Sequence, residues 1–325
     1  MIVTVTPNPS VDLTFELPEL VLGEVNRAVS KHRDPAGKGI NVARALRSNG
    51  FEATAVFPAD AEHGAWIARA LRDAGIAVAT TPIDQPVREN MTFVVADGTT
   101  TKINEPGPEL AAAEVEGLLA VIADQLAARP AWVVVAGSLP QGVAATVIDR
   151  IADLTHLHGA RLAIDTSGET LAHVAASGVA DVLKPNLDEL DELAGRPLGT
   201  YGDIEDVARR LLVRDDAEVL VSLGEGGALL VTRDRLLWAG HERIAPVSTV
   251  GAGDCSLAGY LSADVSTVPA VGDAALVRLA TAVAWGAAAV QLPATSVPGP
   301  ADIRLDAVSV DLNPDRATTV WELAR

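Results

Sequence analysis

Short apolar runs rich in β-branched residues alternate along the chain with longer stretches whose apolar positions repeat at helical spacing. Residues 2–6, 53–57, 76–80, 132–136, 161–165, 181–184, 218–222 and 228–232 read as strands. Between them, residues 40–49, 64–74, 109–128, 143–158 and 204–213 read as amphipathic helices. Gly50, Gly75 and Gly159 each stand between a helix and the next strand, where glycine accepts the left-handed conformation that closes a helix. Strand–helix–strand units repeated this often predict an α/β fold with a mostly parallel sheet covered on both faces. Two stretches break the rhythm. Residues 13–30 and 88–104 look like strands and turns, Asp97-Gly98 among them, with no helix between. They predict either a small discontinuous β-lid over about 12–30 and 87–106, or extra edge strands of the main sheet. With no internal repeat or long linker, one domain over residues 1–325 is expected.

Composition narrows the function classes. The 325 residues carry 25 Lys and Arg against 43 Asp and Glu, a formal net charge of −18. Such a surface argues against a general nucleic-acid binder, which needs basic residues to release counterions, and against docking on anionic lipid. With 49% hydrophobic but only 3% aromatic residues, the core must be built from Ala, Val, Leu and Ile. A single cysteine, Cys255, rules out an intrachain disulfide framework and a multi-cysteine zinc site. None of the six histidines has zinc-site spacing, and no G-x-S-x-G hydrolase signature occurs. No signal-peptide pattern is evident, and the charge-free run 279–300 is broken by Gly286, Gln291, Pro293 and Pro298. A soluble, cytoplasmic protein is expected.

The sharpest motif is Thr249-Val250-Gly251-Ala252-Gly253-Asp254-Cys255, ahead of a helical stretch. Glycines directly before a helix leave backbone N–H groups aimed at an anion, with the positive end of the helix dipole behind them. Asp254 in that position can take a proton from a hydroxyl attacking a phosphoryl group held there; it can equally be the N-cap of an ordinary turn. Neither a Walker loop nor a dinucleotide fingerprint fits, since Gly37-Lys38 is followed by Gly39 and position 256 is Ser. Ser222-Leu223-Gly224-Glu225-Gly226-Gly227 lets a backbone approach a nucleotide, or makes a plain hairpin. In Lys184-Pro185-Asn186-Leu187-Asp188-Glu189, Asn186 and Glu189 can hold water around Mg²⁺, or cap the helix between them. Asp12 follows the first strand, and Gly37-Lys38-Gly39-Ile40-Asn41 enters a helix through a glycine turn. Arg88 stands at the base of the second irregular stretch, suited to a bidentate phosphate contact.

In this order the segments resemble the PfkB, ribokinase-like carbohydrate kinases, over nearly the whole chain and more weakly after about residue 300. Pro35-Ala36-Gly37-Lys38-Gly39-Ile40-Asn41-Val42-Ala43 and 249–254 carry the likeness. Thr6-Pro7-Asn8-Pro9-Ser10-Val11-Asp12, Gly37-Lys38-Gly39, Arg88-Glu89-Asn90 and Asn104-Glu105-Pro106-Gly107, with Gly137-Ser138-Leu139-Pro140 in agreement, are similar to the branch that holds 1-phosphofructokinase and tagatose-6-phosphate kinase. The resemblance implies a three-layer α/β/α sandwich with a β-lid, and phosphoryl transfer from MgATP to a sugar phosphate. Fructose 1-phosphate is the first acceptor implied; tagatose 6-phosphate and fructose 6-phosphate follow. It implies that Asp12, Gly39 and Asn41 hold sugar hydroxyls, that Lys38 and Arg88 grip the sugar's phosphate, and that Ser138 lies beside the sugar. Lys184, Asn186, Ser222 and Gly224 to Gly227 would receive ATP, with Glu189 reaching Mg²⁺ through water. Asp254 would be the base, in a catalytic turn with Gly251, Ala252 and Gly253, and the N–H groups of Ala252 to Asp254 would stabilise the equatorial oxygens. A non-catalytic sugar-phosphate or nucleotide sensor on the same fold is the reading of a different class; loss of Asp254 or the glycines would have favoured it, and all are present. Cys255, beside a helix start, is expected to have a lowered pKa and to be sensitive to alkylation. Exposed edges of two lids would pair into a homodimer.

Overall fold

The computed structural model describes residues 1–266, 272–293 and 295–320. Its first strands are β1 (Ile2–Val5), β2 (Ser10–Leu17), β3 (Ser30–Ala36), β4 (Ala53–Ala59), β5 (Ala77–Pro82), β6 (Arg88–Val95) and β7 (Thr100–Asn104). They continue with β8 (Trp132–Ala136), β9 (Arg161–Asp165), β10 (Val182–Leu183), β11 (Glu218–Ser222), β12 (Ala228–Val231), β13 (Leu236–His241) and β14 (Val308–Asp311). The helices are α1 (Lys38–Ser48), α2 (His63–Asp73), α3 (Ala112–Leu126), α4 (Val147–Leu157) and α5 (Gly168–Ser177). Beyond these come α6 (Leu187–Ala194), α7 (Tyr201–Leu211), α8 (Ala252–Val265) and α9 (Ala274–Ala289).

Ten strands form the main sheet in the order β14-β13-β12-β11-β10-β9-β8-β1-β4-β5. From β5 to β11 neighbours run parallel, and β12, β13 and β14 extend one edge antiparallel. The chain leaves β1 toward β4 and β5, then returns to its other side through β8 to β11. Open parallel sheets bind ligands outside the carboxyl ends at such a reversal. Strand alternation feeds two cores: Ile2, Trp132, Val134 and Ala136 pack with α1, α2, α8 and α9, while Val3, Val5, Val133 and Val135 pack with α3, α4 and α5. On that second side α6 and α7 cover Val219, Val221, Leu229 and Val231. Burial on both faces is why these strands read as continuous apolar runs rather than alternating ones. The result is a three-layer sandwich, and Gly50, Gly75 and Gly159 take the positive φ read for them, at 82°, 75° and 73°.

The two irregular stretches pair with each other in a separate four-stranded sheet, ordered β3-β2-β6-β7, and not as edges of the main one. Its second strand comes later than expected, at 30–36, while 18–29 form a largely exposed connection. Ser-Lys-His-Arg-Asp-Pro-Ala has no apolar alternation to betray a strand; backbone pairing with β2, from Ser10↔Ala36 to Glu16↔Ser30, holds it in place. This pairing delivers the chain straight into the Gly37 turn and α1. At the opposite end of the molecule, Arg278 on α9 pairs with Glu218 at 2.5 Å, and Tyr260 on α8 hydrogen-bonds both. That buried network anchors the far ends of α8 and α9 to the start of β11. No helix among the described residues is long and apolar enough to cross a membrane.

Candidate active site

A cavity of about 1140 Å³ opens at the carboxyl ends of the parallel strands, under the second sheet. Asp165 ends β9, Lys184 follows β10 and Ser222 ends β11, so three adjacent strands deliver their last residues to one wall. The starts of α1 and α8 form the facing wall. Asp12, Gly37, Lys38, Asn41, Arg88, Asn186, Glu189, Gly224 to Gly227, and Gly251 to Asp254 all line this space. Gly39 and Ser138 do not. Gly39 instead packs on β1, where an added Cβ would lie 2.5 Å from Thr6 Oγ1 and 2.9 Å from the Val5 carbonyl oxygen. Its missing side chain is what lets α1 start against the end of that strand. Ser138 is exposed and accepts a hydrogen bond from Asn8 Nδ2 (3.3 Å).

At the α8 end, Gly251 is the left-handed N-cap residue (φ 79°), and the first intrahelical bond is donated by Cys255 N. Intrahelical bonding therefore leaves the N–H groups of Ala252, Gly253 and Asp254 for another acceptor. Asp254 is 6% exposed, and its Oδ2 accepts from Asn41 Nδ2 at 2.8 Å. Arg44, one helical turn on, donates to Asn41 Oδ1 (3.4 Å). Because a guanidinium can only donate, that contact turns the Asn41 amide nitrogen toward Asp254. Burial and then the neighbouring Asp165 charge push the Asp254 carboxyl up to about 7, against the pull of Asn41, Lys38 and Lys184. Such a carboxyl near neutrality suits a proton acceptor. Cys255 does not behave as expected: it is buried, and burial followed by the Asp254 charge pushes its thiol up to about 12. Desolvation outweighs the helix dipole there, so no reactive thiolate results.

Asp165, 1% exposed, is a residue the sequence reading passed over. Its Oδ1 meets Lys38 Nζ at 2.6 Å and its Oδ2 meets Lys184 Nζ at 2.8 Å. Burial opposes ionisation of Asp165, but the charges of Lys184 and Lys38 overcome it and hold the carboxyl below the usual range. Burial likewise works against the Lys38 charge, and Asp165 more than compensates, lifting its pKa above the ordinary value. The next charges felt by Lys38 are Asp254 and Glu189, whereas those felt by Arg88 are Asp12 and Glu105. Lys38 thus belongs electrostatically to the α8 end of the cavity. Asn186 and Glu189 form the capping box of α6, with Asn186 Oδ1 accepting from Glu189 N (2.8 Å) and Glu189 Oε2 from Asn186 N (2.9 Å). Glu189 Oε1 keeps no hydrogen bond among the described residues, and no cluster of three or more His, Cys, Asp or Glu there could hold a metal ion. One spare carboxylate oxygen suits a Mg²⁺ that arrives on nucleotide phosphates and keeps its water, not a metal caged by protein.

At the other end, Ser10 Oγ and Asn90 Nδ2 donate to Asp12 Oδ1 at 2.9 and 3.0 Å, and burial raises the Asp12 pKa. Among the described residues Arg88 donates only to backbone carbonyls, of Glu105 (3.0 Å) and Asn8 (3.2 Å), and its buried Nε has no partner there. A guanidinium with no carboxylate partner and a spare donor is arranged for an anion. Further wall comes from Trp238, 241–244, Val283, Gly286, Ala287 and Val290, none of which the sequence marks as site residues. Gly227 (φ 83°) turns the β11–β12 hairpin against β13, where a Cβ would strike the Ala239 carbonyl oxygen at 2.1 Å. The plain hairpin and the cavity lining are therefore the same structure.

The model of the pfkB family of carbohydrate kinases matches residues 5–301. The chain belongs to that family. A PfkB relative, 1-phosphofructokinase of Haloferax volcanii, is 38% identical over 264 residues, covering 81% of this chain and 84% of that protein. The ATP-dependent 6-phosphofructokinase isozyme 2 of Mycobacterium tuberculosis is 40% identical over 264 residues, 79% of this chain and 76% of that one. Among solved PfkB structures, phosphofructokinase-2 from Escherichia coli in complex with substrates and products superposes with a TM-score of 0.81 at 31% identity, covering 93% and 96% of the two chains. Sugar kinases of this family use ATP and typically a divalent metal, and the Mycobacterium tuberculosis relative is named as ATP-dependent.

Proposed function

We propose that this PfkB kinase transfers the γ-phosphoryl group of MgATP to a hydroxyl of fructose 1-phosphate, giving fructose 1,6-bisphosphate and ADP. The observation that carries the reading is the division of one cavity into a proton acceptor beside free helix N–H groups and, at the other end, a guanidinium that bonds only carbonyl oxygens and makes no ion pair among the described residues. Asp254 takes the proton as the hydroxyl oxygen attacks phosphorus and the bond to the ADP oxygen breaks. The N–H groups of Ala252 to Asp254 and the Lys184 ammonium stabilise the charge on the transferring group. Asp12, with Ser10 and Asn90 behind it, and Asn41 hold sugar hydroxyls; Arg88 grips the phosphate already present, with Asn8 and Ser138 at its side. Lys38 is better placed to serve the transferring phosphoryl group than to assist Arg88. Ser222, Gly224, Glu225, Gly226 and Gly227 face the nucleotide, and Asn186 and Glu189 would hold Mg²⁺ through water, where the ion offsets phosphate charge. The four-stranded sheet acts as a lid that keeps water out during transfer.

Fructose 6-phosphate is the second acceptor to weigh, because a relative at 40% identity is named for it; tagatose 6-phosphate follows. ATP consumption measured on a panel of phosphorylated ketohexoses, free sugars and nucleosides tests the reading. Turnover highest on fructose 1-phosphate is expected, and activity confined to free sugars or nucleosides would overturn it. On the lid, Leu22, Val25, Val29 and Ile103 stand exposed, an apolar surface consistent with a homodimer paired lid to lid. Sedimentation should then give a dimer that Val25→Asp and Ile103→Asp together dissociate; a monomeric wild type would refute the pairing.

A further inference from the structure

The chain contains four lysines among its 25 basic residues, and two of them meet at one carboxylate. Lys31 and Lys102 lie on the lid sheet, while Lys38 and Lys184 arrive from α1 and the end of β10 to share Asp165. A chain that otherwise uses arginine places two of its four compact ammonium groups at one carboxylate, where a point charge, not a planar fork, serves. Lys184 Nζ also lies against the α8 anion site, since a Cβ added to Gly253 would come within 3.3 Å of it. Side chains this long have many rotamers, and without Asp165 two like charges would repel each other apart.

We propose that Asp165 is a positioning residue for phosphoryl transfer, holding the Lys38 and Lys184 ammonium groups side by side at the mouth of the α8 anion site. The inference rests on the kinase reading for what the two lysines contact, and on the ion-pair geometry alone for the hub itself. Asp165 carries a negative charge near Asp254, the other charges around which are Lys38 from α1 and Lys184 beyond β10, with Cys255 and, behind it, Arg44 on α1. Among the described residues, neutralising Asp165 therefore removes the one like charge beside the base and leaves two cations facing it.

Two measurements test the hub. In the wild-type chain, acetic anhydride at neutral pH should acylate Lys38 far more slowly than Lys31 and Lys102, although the Lys38 side chain is 38% exposed. In Asp165→Asn, Lys38 reactivity should approach theirs, turnover should fall ~10²-fold with a smaller change in KM, and the acid limb of the pH–rate profile should move to lower pH. A residue that merely stabilised the fold would not move that limb. Wild-type Lys38 reacting like Lys31 would overturn the hub, even if the variant failed to fold. So would a variant that keeps both turnover and acid limb, or one that loses only Mg²⁺ affinity with Lys38 reactivity unchanged. Labelling needs no turnover, so a wild type inactive on every sugar phosphate counts against the kinase reading, whereas ordinary Lys38 reactivity counts against the hub.

Discussion

Asp254→Asn is expected to lower turnover ~10²–10⁴-fold while leaving sugar-phosphate affinity nearly unchanged, because a general base acts only in the transition state. The amide keeps the shape and still accepts from Asn41, but it cannot take the hydroxyl proton. Its stability should move the opposite way. The carboxyl is pushed from the ordinary 3.8 up to about 7 in the folded chain, first by burial and then by Asp165. Between those pH values the folded state holds a proton that the unfolded state has released, so stability declines as pH rises across the window. The neutral variant escapes this decline and should unfold at no lower denaturant concentration than wild type at pH 7 to 8. In the wild type, kcat/KM should fall as pH drops through about 7, the acid limb set by Asp254 protonation. Turnover near wild type in the variant, or a profile flat through that limb, would remove Asp254 from the base role.

Much of this was legible in the chain because it is local. Strand–helix rhythm survives in the sequence when each strand is buried on both faces, and the Gly251–Asp254 turn carries its chemistry within a few residues. What stayed hidden depends on strand neighbourhood. Lys38 and Asp165 are 127 positions apart and meet only because the winding order reverses at β1, which sets β9 two strands from β1 and so near the start of α1. The available signal was Asp165 itself, a carboxylate ending an otherwise apolar parallel strand on the side where such sheets bind ligands. β3 carries no strand signal in the sequence because pairing, not an apolar face, makes it a strand. Cys255 was misjudged because its helix position was visible and its burial was not. The cavity wall at 241–244 and on α9 follows no local pattern, and only the packing of α9 against β12 and β13 brings it there.

The sugar end carries the second large effect. Arg88 makes no ion pair among the described residues and bonds only two carbonyl oxygens, so its charge is available to an incoming phosphate. Removing one partner of a desolvated, hydrogen-bonded charge pair costs about 2–5 kcal/mol, and each 1.4 kcal/mol is about tenfold in affinity. Arg88→Ala should therefore raise the KM for fructose 1-phosphate ~10²-fold with a smaller change in kcat. Free fructose lacks the phosphate and should lose little. Comparing the two acceptors cancels any general damage to the fold, because such damage falls on both alike. The ratio of kcat/KM for fructose 1-phosphate to that for fructose, taken in the wild type and in Arg88→Ala, is the most direct test that this cavity is built for a phosphorylated acceptor. The expected result is a large ratio in the wild type that collapses ~10²-fold in the variant; a ratio near one in the wild type, or one that Arg88→Ala leaves unchanged, would contradict it.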